Sequence, residues 1–212
     1  MIELAGRMIP NTLAEILDPA RTALLLWDME RAIAPNAFNF QHIVGNLQSL
    51  TTVARKVGVP VFYAQQIPLD LEREEAETWV RLQMKRAAVS NVRELIGKQE
   101  DPHLRDIVEE LRPQPGDVVF QKHRPDGFIG TDFDLKLRNK GIRSIVIGGV
   151  ATEGGVEGTA RTGRNLGYDM VLLRDGVGSR RAEFHDLALR LMEGAHFDIV
   201  TWKEVAAIWE RT

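Results

Sequence analysis

The chain has 212 residues, 44% hydrophobic and 27% charged, a composition that suits one soluble domain spanning residues 1–212 and excludes a disordered tail or a membrane protein. Its 27 Lys and Arg against 30 Asp and Glu give a formal net charge of -3 with no basic block suited to a phosphate backbone, so no nucleic-acid partner is expected. The absence of cysteine excludes disulfides, thiolate metal sites and a cysteine nucleophile.

Met1 opens on a mixed polar segment with Glu3 and Arg7, not on the apolar stretch of a secretory signal, and no later run reaches membrane-spanning length. A cytoplasmic location without a membrane partner is the expectation. Ala23 to Trp27 is a continuous apolar run ending at Asp28, which predicts a strand buried on both faces with Asp28 at its carboxyl end. From Phe40 to Val57 the apolar residues Ile43, Val44, Leu47, Leu50 and Val53 recur at helical spacing, and Gly58 ends the pattern. Val59 to Ala64 predicts a second strand, with Pro60 near its start, where no ladder hydrogen bond is needed. Leu69 to Gln99 is charged and lacks a clean period, and reads as a helical excursion or lid.

Further strand and helix units follow: Val118 to Phe120 with Phe133 to Asn139, Ser144 to Ile147 with Glu153 to Leu166, and Met170 to Leu173 with Ala182 to Gly194. Ile199-Val200 and a last helix close the chain. This alternation predicts an α/β fold, a three-layer αβα sandwich around a six-stranded parallel sheet. Ligands of such sheets sit beyond the carboxyl ends of the strands, so Asp28, Gln65, Gln66, Lys122 and the stretch Gly149 to Gly155 are expected to converge on one cleft.

Asp28 after a buried strand could hold a proton at raised pKa, or could serve as a helix cap or turn residue. Lys122 could neutralise Asp28, hold a substrate carboxylate, or close its strand as a solvated lysine. Asp132 and Asp134 suit the start of the next helix, with Thr131 as another cap candidate. The run Gly148-Gly149-Val150-Ala151-Thr152-Glu153-Gly154-Gly155 enters a helix, where backbone N–H groups can meet an anion or a carbonyl oxygen, or can simply form a tight connection. It contains neither a GxGxxG nor a phosphate-loop pattern. The histidines His42, His103, His123, His185 and His196 lack ligand spacing, and His123 should point away from Lys122.

The order Asp28, Lys122-His123-Arg124-Pro125 with Phe128 and Thr131, then Gly149-Val150-Ala151-Thr152 leading to Val156 and Thr159-Ala160-Arg161, resembles the isochorismatase-like hydrolases from about Ala23 to Val205. Most proteins of that pattern are amidases with a nucleophilic cysteine at the position of Gly155, completed by Asp and Lys. True isochorismatases lack it and hydrolyse a vinyl ether. The resemblance implies Asp28, Lys122 and Gly155 as catalytic positions, Gln66, Phe128, Val150, Ala151 and Thr152 as substrate-binding positions, and a cis peptide between Val150 and Ala151. Gly155 would leave room for the ligand. Asp28 would protonate an enol-pyruvyl ether, or, if held ionised by Lys122, activate water against an amide.

Related nicotinamidases bind a metal after the second strand through Asp and His, whereas this chain reads Gln65-Gln66-Ile67-Pro68. No metal and no cofactor are therefore expected. A small-molecule substrate and a homo-oligomer, dimer or tetramer, complete the expectation. The lost nucleophile also admits a catalytically silent binder or scaffold on the same fold.

Overall fold

Buried apolar runs become parallel strands in the computed structural model, which describes residues 1–97 and 102–211. The large sheet contains β3 (Thr22–Trp27), β4 (Val61–Gln66), β5 (Val118–Lys122), β6 (Ser144–Val150), β7 (Asp169–Gly178) and β8 (Asp198–Val200). Its six strands lie in the order β5-β4-β3-β6-β7-β8 and all pair in parallel. The central strand β3 is buried along its whole length.

Alternation of side chains along β3 divides the core into two layers. Leu24 and Leu26 pack with Ile43, Leu47, Leu50 and Trp209, so α2 (Phe40–Val57) and α8 (Trp202–Trp209) cover one face. Ala23, Leu25 and Trp27 pack with Phe62, Phe120, Phe133, Ala160 and Met192 on the other. That face is covered by α5 (Phe133–Asn139), α6 (Glu157–Asn165) and α7 (Ala182–Gly194). The expected αβα sandwich is the observed fold.

After β3 the chain builds outward through β4 and β5, then returns to place β6 on the other side of β3. The crevice between the carboxyl ends of β3 and β6 is the switch point at which such sheets bind ligands. Trp27 pairs with Gly149 across it. A Cβ on Gly149 would lie 2.0 Å from the Trp27 carbonyl oxygen, and its φ of 119° is closed to other residues, so glycine is required there.

Several boundaries differ from expectation. A hairpin of β1 (Ile2–Leu4) and β2 (Arg7–Ile9) precedes the sheet, turning at Ala5 and Gly6, both with positive φ. Its strands have three residues each and are exposed throughout, so they leave no burial pattern to read. The short helix α1 (Leu13–Ile16) follows, with Thr12 and Glu15 forming a capping box. β7 runs to Gly178, past the expected Leu173, after a register shift opposite Ile147 to Gly149. The helix expected from Glu153 starts at Glu157, because Thr152–Val156 form a wider π-type turn broken at Gly154 by φ -115° and ψ -110°. The excursion after β4 contains α3 (Glu77–Ala87) and α4 (Val92–Gly97), while residues 98 and 99 of its expected span lie outside the described residues.

Candidate active site

Asp28 directly follows β3 in a left-handed conformation, φ 48°, which aspartate tolerates better than most residues and which turns the chain out of the sheet. Lys122 ends β5, two strands away, and Gln66 is its cross-strand partner at the end of β4. The lysine side chain crosses over β4: Nζ donates to Gln66 Oε1 at 2.8 Å and lies 2.8 Å from Asp28 Oδ1. The indole face of Trp27 is 4.4 Å from Nζ, a cation–π contact. The side chain of Lys122 is 0% exposed and that of Asp28 is 15% exposed. Lys122 is thus the internal counter-charge of Asp28, and Asp28 is the member of the pair that reaches solvent. The solvated-lysine reading does not hold, and a substrate carboxylate cannot reach Nζ in this arrangement.

Burial pushes the Asp28 carboxyl above its ordinary range. The positive charges of Lys122 and Arg105 and the Trp27 indole N–H oppose that rise without reversing it. The opposing influences on Asp28 therefore resolve toward a carboxyl group that keeps its proton longer than a surface aspartate.

Gly155 is buried against Trp27, and it leaves no vacancy. A Cβ built on it would lie 2.0 Å from Trp27 Nε1 and 2.3 Å from Cε2. The indole fills the space where a side chain at 155 would stand, which corrects the expectation of room for a ligand there. Trp27 is fully buried, and its Nε1 makes no hydrogen bond of ordinary geometry among the described residues.

The remaining expected positions separate into two groups. Val150, Ala151 and Thr152 form the turn after β6, and the Val150-Ala151 peptide bond is cis. Val150 is buried in the core layer facing α2, and the Ala151 carbonyl accepts from the N–H groups of Gly154 and Val156. Thr152 is buried, its hydroxyl donating to the Gly178 carbonyl at 3.0 Å and lying 2.8 Å from His185 Nδ1. Phe128 is not brought to Asp28 by any contact: its ring packs on Phe133 at 5.1 Å and Tyr168 at 5.7 Å in the core layer behind the sheet. His123 turns away from Lys122, with Nδ1 2.7 Å from the Ile67 carbonyl. At the start of α5, Thr131 rather than Asp132 caps, accepting from the Phe133 N–H at 3.2 Å.

Reading the sequence alone misses Glu30. It is fully buried two residues beyond Asp28, accepts a hydrogen bond from the Gln66 N–H, and lies 3.4 Å from Arg105 Nη1. Burial raises its pKa to about 7, helped by the negative charge of Asp28 and opposed by the Gln66 N–H, Arg105 and Lys122. No local pattern in the sequence marks it, because a charged residue just past a strand is ordinarily solvated.

Two surface clefts lie elsewhere, one of about 750 Å³ at the β5 edge and one of about 350 Å³ beside α7, and neither includes Asp28, Lys122 or Gly155 in its lining. Among the described residues no group of three or more His, Asp or Glu could hold a metal ion, and no helix is long and apolar enough to cross a membrane.

Residues 22–204 match the isochorismatase domain. A ureidoacrylate amidohydrolase, RutB, from Pseudomonas syringae pv. syringae (strain B728a) is 31% identical over 187 residues, covering 79% of this chain and 75% of its own. A cysteine hydrolase from Pseudomonas syringae pv. phaseolicola 1448A superposes with a TM-score of 0.78 at 23% identity, over 92% of this chain and 94% of that one. An isochorismatase family protein from Burkholderia thailandensis gives a TM-score of 0.72 at 26% identity, over 91% and 97%.

Proposed function

Given that the chain belongs to the isochorismatase family of hydrolases, we propose that it hydrolyses a small acid without a covalent intermediate at residue 155, using Asp28 as its general acid. The observation that carries this reading is the Asp28 and Lys122 pair, 2.8 Å apart with the lysine wholly buried. Glycine at 155 offers no nucleophile, so the attacking group is water. On an enol ether, Asp28 delivers its proton to the methylene carbon, water adds to the oxocarbenium carbon, and the resulting hemiketal collapses to a keto acid and an alcohol. A carboxyl whose pKa is raised by burial suits that proton delivery. Once ionised, the same group can accept a proton from water attacking an amide, and the ureidoacrylate relatives place ureido acids in the substrate panel.

Lys122 acts on Asp28, and Gln66, itself only partly buried, holds Lys122 in place by accepting from its Nζ. The turn Val150-Ala151-Thr152 leads out of β6, the strand that pairs with β3 on the side away from β4. The test is a panel of enol-ether, amide and ureido acids assayed with the wild type and Asp28→Asn. Turnover lost in the variant supports the reading, and turnover that survives it, or none in either protein, overturns it. A catalytically silent binder is the second reading, favoured by the indole of Trp27 in the space beside Gly155, and the same panel decides between the two.

A further inference from the structure

Glu30 is the one fully buried carboxylate among the described residues, and the chemistry above leaves it unused. It sits in a continuous polar chain across the ends of three strands. Asp28 meets Lys122 Nζ, Lys122 Nζ donates to Gln66 Oε1, and the Gln66 main-chain N–H donates to Glu30 Oε1, whose other oxygen faces Arg105. The segment carrying Arg105 is tied to the same stretch of chain: Glu30 bridges Ile107, the Val108 N–H donates to the Met29 carbonyl, and the Arg31 N–H donates to the Asp106 carbonyl. Glu30 therefore ties together the ends of β3, β4 and the excursion that returns to β5.

We propose that Glu30 is a second acid of this site, a positioning residue that fixes Gln66 and through it Lys122, and that competes with Asp28 for a single proton. The proposal rests on the reading of Asp28 as the working acid, and it adds the group that sets the pH at which Asp28 is loaded. Two carboxylates enclosed with limited access to water disfavour double ionisation, because each negative charge raises the cost of the next. The charged groups facing Glu30 among the described residues are Asp28 from β3, Lys122 from β5 and Arg105 from the excursion. On the same segments, Arg31 pairs with Glu109, and His103 with Asp106, at exposed positions. A lone structural acceptor for the Gln66 N–H would keep its place but would not respond to the charge on Asp28.

The experiment is carboxyl ¹³C NMR titration of the full chain labelled at Glu and Asp, with Glu30→Gln to assign the resonance. Glutamine retains an oxygen for the Gln66 N–H while removing the titration. The expected result is a Glu30 midpoint near neutrality that falls by about one pH unit or more in Asp28→Asn, with a reciprocal fall for Asp28 in Glu30→Gln. Should Asp28→Asn fail to fold, the wild type alone decides, because coupled carboxyls each show a second inflection at the midpoint of the other. A Glu30 midpoint below pH 5, or one indifferent to Asp28, overturns the proposal and leaves Glu30 a structural acceptor. The titration needs no substrate, so it stands or falls separately from hydrolysis. Where the substrate panel yields turnover, Glu30→Gln should move the pH limb of kcat while leaving KM within about twofold.

Discussion

Trp27 and Gly155 occupy one volume: a Cβ on Gly155 would sit 2.0 Å from the indole nitrogen and 2.5 Å from Cζ2. The two residues are complementary, a large ring on β3 against an absent side chain in the turn after β6. Gly155→Cys alone should therefore overpack the core and destabilise the protein by about 1–3 kcal/mol in urea denaturation. Trp27→Val in the same chain should remove most of that penalty, and the double variant should expose a thiol beside Asp28 that reacts with a thiol reagent. Strict additivity of the two single changes would sink the shared-volume account, since contacting residues couple.

Asp28, Lys122 and the glycine-rich turn are legible in the sequence because each ends an apolar run, and the ends of parallel strands meet on one edge. The helices α2, α5 and α7 are legible from periodicity because each buries one stripe, for example Ile43, Val44, Leu47 and Leu50 of α2. Trp27 reads only as one more core residue of β3. That its ring turns toward residue 155 depends on a contact between β3 and the turn after β6, which no local pattern encodes. Phe128 misleads in the opposite direction, since its place in a motif says nothing of the ring beneath it, which packs on Phe133 and Tyr168. Glu30 is invisible because a charged residue just past a strand normally meets water, and only the return of residues 104–108 covers it.

Lys122 and Asp28 are a buried pair in which neither partner is well placed alone. Lys122→Met should cost about 3–5 kcal/mol, as expected when one member of a buried ion pair is removed. It should also raise the Asp28 midpoint further, because the opposing positive charge is lost. Adding Asp28→Asn should recover a large part of the stability. A double-mutant cycle by urea denaturation measures the coupling, and a coupling below about 0.5 kcal/mol would refute the pairing.

Thr152 links the turn to β7 and α7 through the Gly178 carbonyl and His185. Its single hydroxyl proton goes to the carbonyl, so His185 Nδ1–H is the donor to Oγ1. Thr152→Val keeps the shape and strands both partners in the interior, at about 1–3 kcal/mol. Thermal unfolding at pH 7.5 and the ¹⁵N shifts of His185 check this, the latter moving from the Nδ1–H tautomer. An unchanged unfolding temperature would show that water replaces the hydroxyl.

The pH dependence of stability should carry the signature of Glu30. Its folded pKa of about 7 lies above the ordinary value of 4.5, so between those limits the folded state binds more protons than the unfolded chain. The stabilising contribution is full below about pH 4.5 and is lost as pH rises through about 7, an effect of about 3 kcal/mol at most for a shift of this size. His185 has the opposite sign in part of this window. Burial lowers its pKa, so its contribution is present at higher pH and is lost as pH falls through the folded value. Asp28, also raised, acts in the same direction as Glu30. The wild-type curve is therefore a sum of opposing slopes, and the difference between wild type and Glu30→Gln isolates one of them. Urea denaturation from pH 4.5 to 8 should show Glu30→Gln gaining on the wild type as pH rises, with most of the gain complete by pH 8. A difference that is flat across that range, or that favours the wild type at high pH, would mean that Glu30 is ionised throughout and that Arg105 and the Gln66 N–H outweigh its burial.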